Sequence, residues 1–142
     1  MQQMKILRNN RGFSLMEIMI VMVIIGLLAA MIGPELWGRL GTAQQKAAKA
    51  QIEMLMTSLD AYRLDVGSYP TQQEGLEALV SSPGSQGWLG PYLKKTKIPD
   101  DPWGHPYLYQ NPGQQVEISI SSLGADNKEG GEGKDADINS WE

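Results

Sequence analysis

The feature that most constrains this chain is an apolar segment near its N-terminus. Residues 18–34 carry no charged side chain, and the apolar stretch from Phe13 to Pro34 is long enough to span a bilayer as a helix rising about 1.5 Å per residue. A helix that is apolar all round cannot bury itself against one small domain. We therefore expect lipid, or other copies of the same chain, to cover it.

Charge is distributed unevenly along the 142 residues. Lys5, Arg8 and Arg11 precede the apolar segment, whereas from Phe13 onward nine Lys and Arg face sixteen Asp and Glu. This acidic composition argues against nucleic acid as a partner. The chain has no cysteine, which excludes a disulfide framework, a thiolate metal site and a cysteine nucleophile.

A basic beginning followed by an apolar stretch is also the pattern of a cleaved secretory signal. Two features favour a helix that is retained. The apolar stretch is about as long as a bilayer is thick, and the helical pattern continues beyond it, whereas a cleaved signal normally ends in a loop.

Glu17 is the exceptional residue of this segment, because a carboxylate inside a membrane helix costs on the order of 2.5–3.5 kcal/mol on insertion scales. Its side chain either reaches the interface from near the helix end or has a cationic partner. Proteolysis after Gly12 would create such a partner. The new α-amino group of Phe13 would lie four residues before Glu17 and could neutralise it in the same chain or in a neighbour.

The segment R-G-F-S-L-M-E-I-M-I-V resembles the class III signal of type IV pilins and pseudopilins. The resemblance implies that a membrane-embedded prepilin peptidase cuts after Gly12, that the new N-terminus at Phe13 is methylated, and that Glu17 is the carboxylate used in assembly. It implies three parts: a leader peptide 1–12, a transmembrane and filament-core helix 13–35, and a periplasmic domain 36–142.

Beyond the apolar segment the chain predicts a continuation of the same helix. Pro34 has no amide hydrogen, so we expect a kink or local loosening at Gly33-Pro34. After it, apolar residues recur at helical spacing as far as about Val66, which predicts an amphipathic second half. They are Leu36, Leu40, Ala43 and Ala47, followed by Ala48, Ile52, Leu55, Leu59, Tyr62 and Val66.

The remainder of the chain predicts one short helix and a small sheet. Thr71 and Glu74 form a capping-box pattern, which predicts a helix from about Thr71 to Val80. Tyr107 to Gln110 and Val116 to Ser121 are predicted strands, since they are rich in aromatic and β-branched residues and the second run alternates. An antiparallel pair lying on the amphipathic helix would bury both apolar faces.

Aromatic residues are interleaved with Pro and Gly between Ser81 and Gly113. We expect them to pack over the helix rather than to bind a ligand. They are Trp88, Tyr92, Trp103, Tyr107 and Tyr109. The predicted fold is therefore α+β, with the second half of a long N-terminal helix packed on a small antiparallel sheet.

The segments G-S-Y-P-T, L-G-P-Y-L, D-P-W-G-H-P-Y-L-Y and S-L-G-A-D resemble the major pseudopilin of the type II secretion system, over nearly the whole chain. Adhesive and twitching pilins generally carry a C-terminal disulfide loop, from which this cysteine-free chain departs.

The resemblance implies a type IV pilin-like fold and a single-pass protein of the bacterial inner membrane. Such a protein polymerises with itself into a helical periplasmic pseudopilus that drives export of folded proteins. Its other partners would be minor pseudopilins and the inner-membrane secretion platform. The alternatives are a minor pseudopilin or a subunit of a type IV pilus.

The C-terminal stretch concentrates carboxylates in a glycine-rich loop, and hard oxygen ligands on a flexible backbone suit Ca²⁺. Its spacing is not that of an EF-hand, and from the residues alone a solvated acidic loop is an equal alternative. The resemblance implies a calcium loop at 123–138. The implied ligands are the side chains of Asp126, Asp135 and Asp137 and the backbone carbonyls of Leu123 and Lys128.

Catalytic signals are weak in this sequence. His105 is the single histidine, it lies in a proline-rich loop, and no nucleophile elbow, phosphate loop or paired-carboxylate motif accompanies it. We expect His105 to cap or pack near Trp103, and we expect no enzymatic activity.

Overall fold

A computed structural model describes residues 12–142, so residues 1–11 of the predicted leader lie outside the described residues. The elements are helix α1 (Leu15–Val66), strand β1 (Leu108–Gln110), strand β2 (Ser119–Ser122) and strand β3 (Ile138–Asn139). This combination of one long helix and three strands confirms the predicted α+β class. The chain divides into two compact units, one ending at Gly38 and the other comprising Arg39–Glu142.

The first unit contains the apolar part of α1, and its surface is uncovered. Exposure of the large apolar side chains between Ile18 and Ile32 ranges from 46 % at Val21 to 77 % at Met31. The most apolar 18-residue window of α1 has a mean hydropathy of 2.8 and no buried residue. By length and composition, this helix could therefore cross a membrane.

Helix α1 runs through Pro34 and ends only at Val66. The loosening expected at Gly33-Pro34 therefore does not interrupt the helix. At the far end Gly67 adopts a φ of +94°, which favours glycine, and its amide donates to the carbonyl of Arg63 over 2.8 Å. The predicted end of the helix is confirmed.

In the second unit, one face of α1 forms one side of the hydrophobic core. The predicted apolar stripe is buried there, each side chain being no more than 2 % exposed: Ala48, Ile52, Leu55, Leu59 and Tyr62. Val66, at the end of the stripe, is partly buried. The first members of the predicted pattern are exposed instead, so only its later part forms the core: Leu36, Leu40, Ala43 and Ala47. Side chains of the loops and strands, including Leu79, Tyr109, Ile118 and Ile120, complete the core.

The predicted second helix is wrong in type and length. The capping box does form, because the amide of Thr71 donates to Glu74 Oε2 over 2.8 Å and the amide of Glu74 donates to Thr71 Oγ1 over 3.2 Å. Gly75, however, has a φ of +59°, which is incompatible with a continuing α-helix. The chain forms only a 3₁₀ turn, Gly75–Leu79.

The three strands form an antiparallel sheet in the order β1-β2-β3, with Tyr109 opposite Ile120. The predicted sheet is confirmed, but β2 begins at Ser119 rather than Val116. The reason is a tight loop: the amide of Gly113 donates to the carbonyl of Glu117 over 3.0 Å, and a Cβ at Gly113 would lie 2.6 Å from the carbonyl oxygen of Val116. The two-residue strand β3 carries no alternating pattern and was not predicted.

The aromatic residues pack as expected around α1. Tyr107 and Tyr109 are buried, and Tyr92 contacts Tyr62 and Trp88 edge-to-face with ring centroids 5.7 and 5.8 Å apart. Tyr109 donates its hydroxyl hydrogen to the carbonyl of Pro70 over 2.6 Å. Burial raises the pKa of Tyr109 to about 12, so this phenol stays neutral at physiological pH.

Candidate functional sites

The predicted cleavage position lies just before helix α1. Gly12, Phe13 and Ser14 have no regular secondary structure. An added Cβ at Gly12 would meet no atom within 4 Å, and Phe13 is 78 % exposed. The peptide bond between Gly12 and Phe13 is therefore extrahelical and uncovered, as a proteolytic substrate needs to be.

Ser14 sets the start of α1. Its Oγ accepts a hydrogen bond from the amide of Glu17 over 3.2 Å, and its carbonyl accepts from the amide of Ile18 over 3.2 Å. This is the N-cap role in which serine is favoured. The two residues flanking the predicted cut thus stay outside the helix.

Glu17 lies in the first turn of α1, where the helix dipole favours negative charge. Within residues 12–142 its carboxylate makes no hydrogen bond or ion pair; only its backbone amide is engaged, by Ser14. The carboxylate is exposed on a surface that is otherwise apolar. It is therefore free to pair with a cation supplied by another chain.

The acidic loop connects β2 to β3 and is closed by backbone contacts. The amide of Ala125 donates to the carbonyl of Lys134 over 3.0 Å. A Cβ at Gly124 or Gly131 would lie 2.8 or 2.5 Å from the carbonyl oxygen of Asp135, so only glycine permits this approach. Backbone packing thus draws the two ends of the loop together.

The three predicted side-chain ligands lie in this loop, but each has a separate local donor. Asp126 accepts from the amide of Lys128 over 3.2 Å, and Asp137 accepts from the amide of Gly130 over 2.9 Å. Asp135 forms an ion pair with Lys134. Across the part of the chain that the structure describes, no three Asp, Glu, His or Cys side chains are grouped to hold a metal ion.

One oxygen of the loop has no such partner. Asp137 Oδ1 is buried and makes no hydrogen bond within residues 12–142. A buried carboxylate oxygen without a donor or cation is unfavourable. The predicted carbonyl ligands are less distinctive: Leu123 is half-buried directly after β2, and Lys128 is exposed in the loop.

Asp101 is a buried carboxylate that was not predicted from the sequence, and it is hydrogen-bonded to the residue that precedes the acidic loop at the end of β2. Asp101 accepts hydrogen bonds from the amides of Trp103 and His105 over 3.0 and 2.8 Å, and from Ser122 Oγ over 2.6 Å. Ser122 Oγ in turn accepts from the amide of Gly124 over 3.3 Å. The D-P-W-G pattern is an aspartate-initiated turn signal and could have indicated the local part of this network, but not the bond to Ser122.

His105 belongs to the same turn. Its amide donates to Asp101, and its ring Nδ1 is buried 3.9 Å from Asp101 Oδ1. The expected capping role therefore belongs to Asp101, and His105 lies within the turn with its ring beside that carboxylate. Neither a hydroxyl nor a thiol nucleophile is in hydrogen-bonding contact with its ring within residues 12–142.

The C-terminal segment is also attached to α1 within the second unit. Gln45 Nε2 donates to the carbonyl of Gly133, and Lys49 Nζ donates to the carbonyl of Glu142 over 3.3 Å. A Cβ at Gly41 would lie 3.5 Å from the Cβ of Lys134. The acidic loop is therefore packed on the helix rather than projecting from the domain.

Comparison with known proteins agrees with these observations. The family described as type II secretion system (T2SS), protein G, matches residues 35–141. The chain belongs to this family. A second description, prokaryotic N-terminal methylation motif, matches residues 7–33, which include the predicted cleavage position and Glu17.

Individual relatives extend the match over almost the entire chain. The type II secretion system core protein G of Pseudomonas aeruginosa is 46 % identical over 140 residues, covering 95 % of this chain and 97 % of the relative. That of Vibrio cholerae is 44 % identical over 142 residues, covering 97 % and 96 %. The crystal structure of the major pseudopilin from enterohaemorrhagic Escherichia coli is 38 % identical, has a TM-score of 0.62, and covers 76 % of this chain and 95 % of its own. The predicted family and pilin-like fold are confirmed.

We expect Asp101→Ala to lower the free energy of unfolding of the second unit by about 2–4 kcal/mol, because two amides and a hydroxyl lose a buried acceptor. Urea unfolding followed by tryptophan fluorescence measures this. The control is Asp100→Ala, which removes an adjacent carboxylate paired only loosely with Lys97 at 3.8 Å. Equal effects of the two substitutions would contradict the role given to Asp101.

Proposed function

We propose that this protein is a structural subunit that polymerises into the periplasmic pseudopilus of the type II secretion system and so drives export of folded proteins. Membership of the protein G family supports this role. The observation that carries it is the bare apolar surface of α1, which a single chain leaves unburied over a whole membrane-length window. Before assembly lipid covers that surface, and in the filament other copies of α1 do.

The proposed assembly begins with removal of the leader. A prepilin peptidase cuts between Gly12 and Phe13, and the new amino group of Phe13 is methylated. The match of the methylation motif to residues 7–33 and the uncovered backbone at Gly12 support this step. The product places a cation at the end of α1, four residues from Glu17.

Glu17 then acts as the assembly carboxylate. It pairs with the α-amino group of Phe13 of a neighbouring copy, which supplies the partner that it lacks within residues 12–142. In surroundings of low dielectric constant an unpaired carboxylate is strongly unfavourable, whereas a paired one is tolerated. The pair therefore selects one axial position of each incoming helix.

The proposed organisation places residues 1–12 in the leader, 13–35 in the membrane and later the filament core, and 36–142 in the periplasm. Anchoring is by a single pass through the bacterial inner membrane. The partners are further copies of the chain, the minor pseudopilins, the inner-membrane platform and the peptidase. The role is mechanical, and we assign no catalytic residue.

We further propose that the loop 123–138 binds Ca²⁺. The side chains of Asp126, Asp135 and Asp137 and the carbonyls of Leu123 and Lys128 would hold the ion. The partnerless buried oxygen Asp137 Oδ1 and the hard oxygen donors of the loop support this. Because the chain has no cysteine, a bound ion would supply the cross-link between the loop and the domain that a disulfide provides in other proteins.

We expect Glu17→Gln to reduce the yield of sheared filaments at least about ten-fold, since the neutral amide cannot pair with the amine and each ~1.4 kcal/mol lost is a factor of ten. Electron microscopy and immunoblotting of the sheared fraction measure the yield. Glu53→Gln, an equal charge change at an exposed position on the same helix, is the control and should assemble normally. Normal filaments from Glu17→Gln would overturn the proposed pairing.

We expect removal of calcium with EGTA to lower the melting temperature of the protein. An ion present at 100 times its dissociation constant stabilises the folded state by about 2.7 kcal/mol. Differential scanning calorimetry measures the shift, and Asp137→Asn should abolish it while Glu129→Gln should not. A melting temperature and a filament yield that are both insensitive to EGTA would refute the calcium site.

A further inference from the structure

Lys134 places a positive charge directly on one of the proposed calcium ligands. Its Nζ lies 2.7 Å from Asp135 Oδ1, with the two side chains 64 % and 31 % exposed. Of the three carboxylates, Asp126 and Asp137 accept only backbone amides of the loop. Asp135 is therefore the one whose negative charge is already matched by a full positive charge.

The backbone holds Lys134 in this position. Its carbonyl accepts from the amide of Ala125 over 3.0 Å, and its neighbour Gly133 accepts from Gln45 of α1. A Cβ at Gly41 would lie 3.5 Å from the Cβ of Lys134, so the helix surface limits how the main chain can shift. The ammonium group, in contrast, sits on a flexible four-carbon stem and is more than half exposed. The side chain can leave Asp135 while the backbone stays in place.

We propose that the ammonium of Lys134 is the resident counter-ion of Asp135 in the metal-free chain, and that Ca²⁺ binds by displacing it. This inference rests on the calcium site proposed above. An ammonium has three donors and no acceptor, so it cannot share in the coordination of a cation. The two positive charges cannot occupy the same carboxylate oxygen, and one must leave as the other arrives.

This exchange has two consequences for the loop. The lysine stabilises the metal-free loop, because it offsets the repulsion between Asp135 and the other carboxylates. It also weakens calcium binding, since part of the binding free energy is used to break the ion pair. Lys134 thereby sets the calcium concentration at which Ca²⁺ replaces the lysine ammonium on Asp135.

The other lysine of the loop provides a charge-matched control. Lys128 is exposed, and although its amide donates to Asp126, its Nζ forms no ion pair within residues 12–142. Lys128→Gln and Lys134→Gln remove the same charge from the same loop, and both keep the backbone carbonyl of residue 128 that is proposed as a ligand. Only the second removes a cation that lies on a proposed ligand.

The test titrates the full-length protein in detergent micelles with CaCl₂ by isothermal titration calorimetry, and records melting temperatures in EGTA. We expect Lys134→Gln to bind calcium about two- to five-fold more tightly than Lys128→Gln, the range that an exposed ion pair contributes. Lys134→Gln should also melt at a lower temperature than Lys128→Gln in EGTA. Lys134→Arg, which keeps the cation, should restore the affinity of the unsubstituted protein.

The outcomes separate this inference from the calcium site itself. Calcium binding with equal affinity in the two glutamine variants would overturn the displacement and leave the calcium site standing. Absence of calcium binding in the unsubstituted protein and in every variant would overturn both. Calcium binding by Lys134→Gln alone would support the inference, since it would show that the Lys134 ammonium prevents calcium from binding in the unsubstituted protein.

Discussion

The uncovered apolar half of α1 is the constraint on which the rest of the structure depends. Its most apolar window has no buried residue, so its cover must come from lipid or from other helices. Transfer from one to the other moves apolar surface between two apolar environments, and the hydrophobic effect then contributes little. In the proposed filament, packing and polar pairing would decide the assembled state instead, and Glu17 is the one charged side chain that residues 15–34 offer for such pairing.

The second unit depends on a different set of contacts, because a small domain without cysteine needs other cross-links. Its core is built from one face of α1, the buried tyrosines and the short sheet. Asp101 joins the central turn to β2 through Ser122, and Gln45 and Lys49 fasten the C-terminal segment to the helix. The acidic loop is attached at both of these places, so a cation bound there, whether Ca²⁺ or the Lys134 ammonium, would act on the whole domain.

Periodicity was sufficient to predict α1 as far as Val66, because a regular pattern over so many turns leaves little ambiguity. Local rules failed where one residue overrode them: Gly75 converts a well-formed capping box into a 3₁₀ turn, and the loop at Gly113 delays β2. The bond from Asp101 to Ser122 joins residues distant in sequence, which no local pattern specifies. The candidate ligands of the acidic loop were predicted from the family resemblance, whereas their hydrogen bonds and the ion pair with Lys134 are seen only in the folded structure.

The most direct test of the account is the intact mass and N-terminal sequence of the protein isolated from bacterial membranes. The proposed pairing between α1 helices requires the amino group that processing would create at Phe13. We expect a mature chain that begins at Phe13 and carries one added methyl group. An uncut chain, or a chain cut beyond Ala30, would contradict it, since the cation proposed to pair with Glu17 would then not exist.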